Sequence, residues 1–337
     1  MKKLLSVLLA GVMTASMLVG CGSTTDTAST EEATEATGTV AADKVYNIGI
    51  CQLVEHVALD AATKGFEDAL TEKLGEDHVN FDFQNAQGEQ TNATTIVNAF
   101  VASNVDLILA NATSPLAAAA SATQDIPILG TSVTDYATAL DMEGFTGATG
   151  RNISGTSDLA PIEEQAAMLV ELFPDAKNVG MLYCSAEANS KFQIDKFKAA
   201  MDTYGITATE YSIADTNDIQ TVVTQAAEAC DVLYIPTDNT MANNTEAVDN
   251  ICRPAGVPII CGEEGICSGC GVATLSISYY DLGYATGEMA YEILVNGADV
   301  STMEIKYAPN VVKEYNEEIC NELGVKIPED YVAIATE

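Results

Sequence analysis

Positive charge and tryptophan are what this sequence has least of. It contains no tryptophan, two histidines, and 14 lysines and arginines against 49 aspartates and glutamates, so the formal net charge is −35. A chain of this charge is repelled by the phosphates of nucleic acids and by anionic lipid headgroups. We therefore expect no nucleic acid partner and no direct binding of the folded part to a membrane. Any aromatic wall of a ligand site has to come from tyrosine or phenylalanine.

The motifs that mark common enzyme sites are also missing. The sequence has no Walker loop, no Gly-x-Gly-x-x-Gly and no Gly-x-Ser-x-Gly nucleophile elbow. Glu55 and His56 form an adjacent acid–imidazole pair, but no nucleophile accompanies them. Ligand contact or helix capping is therefore the simpler interpretation of this pair. We predict that the chain is not an enzyme, uses no cofactor and binds no metal.

The first residues have the pattern of a targeting signal. Lys2 and Lys3 precede an apolar run that is shorter than the roughly 20 residues of a membrane span. The run ends in Leu-Val-Gly-Cys21, which resembles the bacterial lipobox, where the signal is cut before the cysteine and the thiol is acylated. We predict a signal peptide over residues 1–20, lipidation of Cys21 and a solvated tether over 21–43. A secretory signal without lipidation is the alternative.

The rest of the chain alternates between short apolar runs and longer segments with helical spacing. Residues 46–51 have the pattern of a strand, and 59–74 have the spacing of a helix. This alternation predicts parallel sheets in an α/β fold. The two halves are similar to each other, since Asn-Val-Asp-Leu-Ile-Leu at 104–109 corresponds to Cys-Asp-Val-Leu-Tyr-Ile at 230–235.

We therefore predict two Rossmann-like lobes with parallel sheets, joined by a multi-strand hinge. The predicted N-terminal lobe comprises residues 44–157 plus 282–303, and the C-terminal lobe comprises 158–281 plus 304–337. In a two-lobe fold of this kind, the segments near the C-terminus cross back to pack on one lobe or the other.

Polar residues follow most of the predicted strands. Ligands of open α/β sheets bind outside the carboxyl ends of the strands, so these loops are the expected site. Helix N-termini can hold a carboxylate without arginine, and acidic side chains can hold an ammonium group. A site with both suits a zwitterion. The same residue types are ordinary helix N-caps, so each of these residues has two alternative roles, helix capping and ligand binding.

Several of these loops together resemble the tryptophan/tyrosine-type ABC transporter substrate-binding lipoproteins. The resemblance covers roughly residues 45–327. The matching motifs are Ile-Gly-Ile-Cys51-Gln-Leu-Val-Glu-His-Val-Ala-Leu-Asp60, Asn-Ala-Gln87-Gly-Glu-Gln90, Ser-Glu187-Ala-Asn189-Ser190, Pro-Thr237-Asp238-Asn239-Thr240, Gly-Glu263-Glu264-Gly and Tyr279-Tyr280-Asp281-Leu-Gly.

The resemblance implies a type I periplasmic binding fold whose hinged cleft closes on an amino acid, often an aromatic one. It also implies a monomer anchored by its lipid on the extracytoplasmic face of the cell membrane, which delivers its ligand to ABC permease subunits. The implied ligand contacts are Glu55, Thr113, Ser114, Ser132, Thr134, Ser185, Glu187, Asn189, Thr237, Asp238, Asn239 and Asp281.

Within this set, hydroxyls and helix-start amides are the expected carboxylate ligands, and Asp238 or Asp281 is the expected partner of the ammonium group. Tyr183, Tyr279 or Phe192 could stack on an aromatic ligand or simply pack in the core.

Two features depart from the family pattern or leave alternatives open. Cys267-Ser-Gly-Cys270 fits a local disulfide or two idle thiols, and a metal or redox site is the alternative.

The ligand could instead be a nucleoside or a sugar, and the chain could be a sensor module or a secreted hydrolase. No attached signalling module and no convincing triad support the last two hypotheses.

Overall fold

Two helix-flanked sheets form the part of the chain that the structure describes, which is residues 44–308 and 310–335 of a computed structural model. The predicted signal peptide, Cys21 and the predicted tether lie outside these residues. No helix in the described ranges combines the length and the apolar character that crossing a membrane requires.

The strands and helices alternate along most of the chain. The strands are β1 Tyr46–Gln52, β2 Val79–Asn85, β3 Leu107–Asn111, β4 Ile128–Thr131, β5 Ile153–Ser157, β6 Asn178–Cys184, β7 Thr207–Ile213, β8 Val232–Ile235, β9 Ile259–Cys261, β10 Ala273–Ser276, β11 Lys306–Tyr307, β12 Val312–Tyr315 and β13 Val332–Ala333. The α-helices are α1 Val57–Leu74, α2 Gln90–Ser103, α3 Thr113–Ala122, α4 Tyr136–Ala139, α5 Ile162–Leu172, α6 Ala188–Thr203, α7 Ile219–Ala229, α8 Asn239–Ala242, α9 Thr245–Ala255, α10 Glu264–Cys270, α11 Tyr279–Leu294 and α12 Glu317–Leu323. Short 3₁₀ turns lie at Glu76–His78, Thr216–Asp218 and Val300–Thr302.

The first sheet has the strand order β11-β5-β4-β3-β1-β2, and every neighbouring pair in it is parallel. All five residues of β3 are buried. Leu107 and Leu109 pack with α1 and α11 on one face, whereas Ile108 and Ala110 pack with α2 and α3 on the other. Because both faces are covered, this strand is a continuous apolar run rather than an alternating one.

The second sheet has the order β13-β12-β10-β9-β8-β6-β7 and is parallel except where β12 pairs antiparallel with β10. Helices α5, α6 and α12 cover one face, and α7, α9 and α10 cover the other. The ring of Tyr234 stacks on Phe197 of α6 with centroids 3.6 Å apart. The predicted fold class, with two α/β lobes and parallel-dominated sheets, is confirmed.

The chain passes between the two sheets three times, after β5, after β10 and after β11. The last of these crossings follows Lys306–Tyr307, which pairs with β5. This strand belongs to the first sheet, although the sequence-based division assigned residues 304–337 to the second lobe. A two-residue strand with no apolar run gives no signal of its sheet.

Two local features shape the second lobe near its strand ends. Residues 239–255 form two helices, α8 and α9, because the chain turns at Asn243 and Asn244. The segment after β9 is helix α10, whose first turn is capped by the side chain of Glu263. A side-chain cap at this position satisfies amide groups that are otherwise left free at a helix start.

Helices α1 and α11 approach each other backbone to backbone. A Cβ at Gly65 would overlap the carbonyl oxygen of Tyr280, and a Cβ at Gly283 would overlap that of Ala62. Glycine is required at both positions for this contact. The contact attaches α11, which begins directly after the second crossing, to the first lobe.

Candidate ligand-binding site

The loops at the carboxyl ends of both sheets, together with two crossing segments, surround a small inner cavity between the lobes. The inner cavity is lined by His56, Ala58, Leu59, Ser132, Thr134, Asp158, Asn189, Thr237, Asp238, Asn239, Ala242, Glu263 and Tyr279. It has room for the centre of about one water molecule, about 10 Å³. No lysine or arginine is among the lining residues.

Three buried polar atoms that belong to lining residues have no hydrogen-bond partner within the described chain. They are Oγ of Ser132 in the first lobe, Oγ1 of Thr237 in the second lobe and Oδ1 of Asp158 in the first crossing. Buried polar atoms are normally paired, because desolvating them without a partner costs free energy. Ser132 also has φ of 53°, a left-handed conformation that non-glycine residues rarely adopt and that clusters at functional sites. One acid and two hydroxyls are therefore unpaired around one cavity.

Asp158 is a buried carboxylate with one free oxygen. The hydroxyl of Tyr279 donates to its Oδ2 at 3.0 Å. Burial raises the pKa of Asp158, and the nearby hydroxyls of Thr134 and Tyr279 partly oppose that rise. A cation placed at the free oxygen would stabilise the ionised form. The arrangement can bind an ammonium group.

Asp238 borders the same cavity, but both of its carboxylate oxygens are occupied. Oδ1 accepts from the backbone amide of Met241 at 2.9 Å, which caps α8, and Oδ2 accepts from the amide of Cys184 at 2.7 Å. Burial, together with the nearby carboxylate of Glu187, raises the pKa of Asp238 to about 8. Asp238 therefore holds two segments of the second lobe together.

Glu187 organises the loop that contains Asn239. Its oxygens accept from the backbone amides of Asn239 and Thr240 at 3.1 and 2.8 Å, and from the side chains of Asn239, Thr240 and Asn189 at 2.6, 2.8 and 3.2 Å. The Oδ1 atom of Asn239 then lies 3.2 Å from Nε2 of His56, so a hydrogen bond joins the two lobes. Burial lowers the pKa of His56, which favours the neutral imidazole in this bond.

A larger outer cavity of about 390 Å³ lies beside the inner one, and Asn239 lines both. The outer cavity is lined by Leu53, Val54, Gln87, Gly88, Glu89, Gln90, Ser114, Cys184, Ala186, Glu187, Ala214, Asp215, Thr216, Asn239, Thr240, Asn243 and Asn244. Both lobes contribute walls, so its shape depends on how far they close.

The structure brings half of the predicted ligand contacts together around the inner cavity. These are Ser132, Thr134, Asn189, Thr237, Asp238 and Asn239. Ser114 and Glu187 line the outer cavity instead.

The four remaining predicted contacts, Glu55, Thr113, Ser185 and Asp281, line neither cavity. Asp281 is exposed in the first turn of α11, where its amide donates to Ser278 Oγ. Glu55 and Ser185 are exposed as well, and Thr113 is buried at the start of α3.

The three candidate stacking rings have different surroundings. Tyr279 lines the inner cavity and uses its hydroxyl to bind Asp158. Tyr183 instead donates to Glu210 at 2.8 Å, and the ring of Phe192 lies 4.9 Å from the ammonium nitrogen of Lys196. Only the first of these three rings is in reach of the cavity.

Two acidic residues of the inner cavity were not predicted. Asp158 follows β5, whose sequence Ile-Ser-Gly-Thr-Ser has too few apolar residues to be recognised as a strand. Glu263 caps α10 by accepting from the amides of Gly265 and Ile266 at 2.6 and 2.5 Å, and burial raises its pKa to about 7. Both residues could have been identified from their positions one or two residues after a strand.

The two thiols of α10 lie in the core of the second lobe rather than at the cavities. All eight cysteines in the described ranges are free, and seven of them are buried. Cys267 and Cys270 of α10 pack in the core of the second lobe with Cys261, whose pKa burial raises. Buried thiols of raised pKa are poor nucleophiles. Among the described residues, no group of three histidine, cysteine, aspartate or glutamate side chains is placed to hold a metal ion.

Comparison with known proteins accounts for this architecture. The family model of ABC transporter substrate binding proteins matches residues 47–337. The chain belongs to this family. It is 38% identical over 295 residues to a tyrosine-binding protein of Clostridioides difficile, an alignment that covers 87% of this chain and 84% of that protein.

Two solved structures of relatives allow the conformation of this substrate-binding protein to be compared. One is the ABC domain from Streptococcus pneumoniae in complex with L-Trp, with 33% identity and a TM-score of 0.81 over 85% of this chain and 97% of that one. The other is the ligand-free, open structure of a substrate-binding protein with adhesive properties from Clostridium difficile. It has 36% identity but a TM-score of only 0.67 over 87% of this chain and 100% of that one. The described structure therefore superposes better on the tryptophan complex than on the open, ligand-free structure.

Proposed function

We propose that this substrate-binding protein captures a free amino acid between its two lobes, at the polar atoms that line the inner cavity, and presents it to the permease of an ABC importer on the extracytoplasmic side of the membrane. The observation that supports this most directly is the set of three unpaired atoms on Ser132, Asp158 and Thr237. A polar ligand that pairs all three removes the desolvation cost that each of them now bears.

An amino acid matches these atoms in chemistry and charge. The ammonium group pairs with the free oxygen of Asp158, and the carboxylate accepts from the hydroxyls of Ser132 and Thr237. Asp158 replaces Asp238 and Asp281 in this role, because the oxygens of Asp238 are already bonded and Asp281 is exposed away from the cavity. With no lysine or arginine in the lining, a ligand with net negative charge is disfavoured.

Closure follows from the same contacts. Ser132 and Thr237 belong to different lobes, so a carboxylate that binds both is held only when the lobes approach each other. A ligand shifts the open–closed equilibrium by its difference in affinity for the two states. The names of the relatives, one a tyrosine-binding protein and one a complex with L-Trp, support an aromatic amino acid as the ligand.

The remaining features of the proposal rest on the sequence. We propose a lipid anchor at Cys21, a monomeric state and docking of the closed form on permease subunits. The lobe boundary at 157/158 is part of the same proposal. We move the second boundary from 281/282 to 278/279, because α11 packs on α1 from its first turn, and we assign β11 to the first lobe. Mass spectrometry of the membrane fraction tests acylation of Cys21.

A thermal-shift screen of the chain from residue 22 onward tests the ligand class. Free amino acids should raise the melting temperature, whereas nucleosides and sugars should not. A ligand at 100 times its Kd adds about 2.7 kcal/mol to the free energy of unfolding. Stabilisation by nucleosides or sugars alone would show that the ligand class is wrong.

Asp158→Asn tests the ammonium site, with Asp281→Asn as the matched control. Removing one partner of a buried charge pair costs about 2–5 kcal/mol of binding free energy, so the first variant should bind at least about 30-fold more weakly. Asp281→Asn should bind as the wild type does, because its side chain is exposed and outside the cavities. Isothermal titration calorimetry measures both. Equal affinity of Asp158→Asn and wild type would remove Asp158 from the site.

A further inference from the structure

The free volume and the unpaired atoms lie in adjoining cavities rather than in the same one. The inner cavity holds the unpaired oxygens of Ser132, Asp158 and Thr237 but has room for about one water molecule, about 10 Å³. The outer cavity offers about 390 Å³. A ligand bound to the unpaired oxygens can therefore place a large side chain only on the outer side.

We propose that the ligand side chain occupies the outer cavity, and that this cavity selects side chains ending in a neutral or positively charged hydrogen-bonding group and rejects those ending in a carboxylate. This inference rests on the proposed function, since it takes the ligand to be an amino acid whose ammonium and carboxylate groups bind the unpaired oxygens that line the inner cavity.

An apolar surface connects the two cavities. Leu59 lines the inner cavity, Leu53 and Val54 line the outer one, and all three pack with Ala112 in a small cluster separate from the cores of the lobes. Apolar surface of this kind favours the hydrocarbon or ring part of a side chain that runs from one cavity to the other. No aromatic residue lines the outer cavity, so contact with the ring of a ligand would come from aliphatic groups.

The walls beyond this surface are polar and without positive charge. Carboxamides of Gln87, Gln90 and Asn243 provide both donors and acceptors to a ligand group. The acidic lining residues are Glu89, Glu187 and Asp215, and no lysine, arginine or histidine lines the cavity.

Glu187 is buried, and all of its contacts are neutral donors. A ligand carboxylate would thus lie beside like charges without a counter-ion, which disfavours its binding.

Matched ligands test the selection directly. Isothermal titration calorimetry at pH 7.5 on the chain from residue 22 onward compares 4-carbamoylphenylalanine with 4-carboxyphenylalanine and glutamine with glutamate. In each pair, the shape is similar and the end group changes from neutral to anionic. We expect the anionic member of any pair that binds to have a Kd at least 10-fold higher.

A lysine placed in the wall should relax this selection. Asn243 is exposed, lines the outer cavity and lies outside the inner cavity, so Asn243→Lys adds a counter-charge without touching the proposed ammonium site. We expect it to lower the ratio of the two Kd values at least threefold. Gln220→Lys adds the same charge at an exposed position of α7 that lines neither cavity, and should leave the ratio unchanged.

The outcomes separate this inference from the proposed function. Equal Kd values within a matched pair, or binding of phenylalanine or leucine without binding of tyrosine or glutamine, would overturn the selection by the outer cavity and leave amino acid capture standing. If Gln220→Lys changes the ratio of the two Kd values as much as Asn243→Lys does, the selection by the outer cavity is also overturned. Net charge alone would then explain the change. If no amino acid binds at all, the proposed function is wrong and the inference with it.

Discussion

Asp158 and Asp238 are both buried aspartates at the inner cavity, and they differ in what their oxygens bind. Asp238 accepts two backbone amides within the second lobe, whereas Asp158 accepts one hydroxyl and keeps an oxygen unpaired. Both follow strands, so their positions in the sequence are equivalent. The comparison shows that the number of occupied oxygens, rather than burial or residue type, distinguishes a structural carboxylate from one that is available to a ligand.

The largest effect expected from this comparison is a loss of folding stability when Asp238 is replaced. Asp238→Ala removes the cap of α8 and leaves the amide of Cys184 without a partner. Loss of a cap costs about 1–2 kcal/mol, and a buried unpaired amide costs about 1–3 kcal/mol. We expect the ligand-free protein to lose about 2–4 kcal/mol in urea unfolding. The comparison would fail if this variant kept its stability and lost only ligand affinity.

The pH dependence of stability is the next largest effect. The pKa of Asp238 is raised to about 8 in the folded state, above that of an unfolded aspartate, so the folded state binds the extra proton between roughly pH 4 and pH 8. The stabilisation from this proton is complete below the unfolded pKa and is lost as the pH rises through about 8. Its slope is at most about 1.4 kcal/mol per pH unit.

Urea unfolding of the ligand-free protein at pH 6 and pH 8 measures this dependence. Stability should be lower at pH 8, and Asp238→Asn should flatten the difference. Glu263, whose pKa is raised to about 7, adds a dependence of the same sign, which remains in that variant. A ligand-free protein that is more stable at pH 8 than at pH 6 would contradict the prediction.

The smallest expected effect is on ligand affinity, and it tests whether Tyr279 positions Asp158. Tyr279→Phe removes the hydroxyl that holds Oδ2 of Asp158 at 3.0 Å and keeps the ring. Since a single hydrogen bond contributes about 1 kcal/mol, we expect ligand affinity to fall about fivefold, measured by calorimetry. Tyr183→Phe is the control, because its hydroxyl binds Glu210 away from the cavities and its loss should leave affinity unchanged. An effect of equal size in both variants would mean that Tyr279 does not position Asp158.

The fold could be predicted from the sequence because its signal is local. The apolar strands and the helices between them are periodic over short windows, and parallel strands with helices on both faces are the consequence. The strand β5 could not be found in this way. Its residues Ser154 and Thr156 are buried because they bind Met303 and Thr286, more than a hundred residues away, and no local pattern contains those partners.

The site could be predicted only in part for a related reason. Placing polar loops after strands located Ser132 and Thr237, because strand ends converge in a parallel sheet. The same reasoning could not separate Asp238 from Asp158, since the amides that bind a carboxylate are set by tertiary packing. Asp281 follows the last parallel strand but lies on the exposed side of α11, which helical periodicity alone does not decide.

The attachment of α11 to α1 through Gly65 and Gly283 has a consequence for how a solute is first received. Because α11 is fixed to the first lobe from its first turn, bending of the second crossing is limited to the two residues between β10 and Tyr279. In the proposed opening motion, Tyr279 and its hydrogen-bond partner Asp158 thus stay with Ser132 when the second lobe moves away with Thr237. The proposed ammonium site is then complete before closure, and the carboxylate gains its second hydroxyl only when the lobes close.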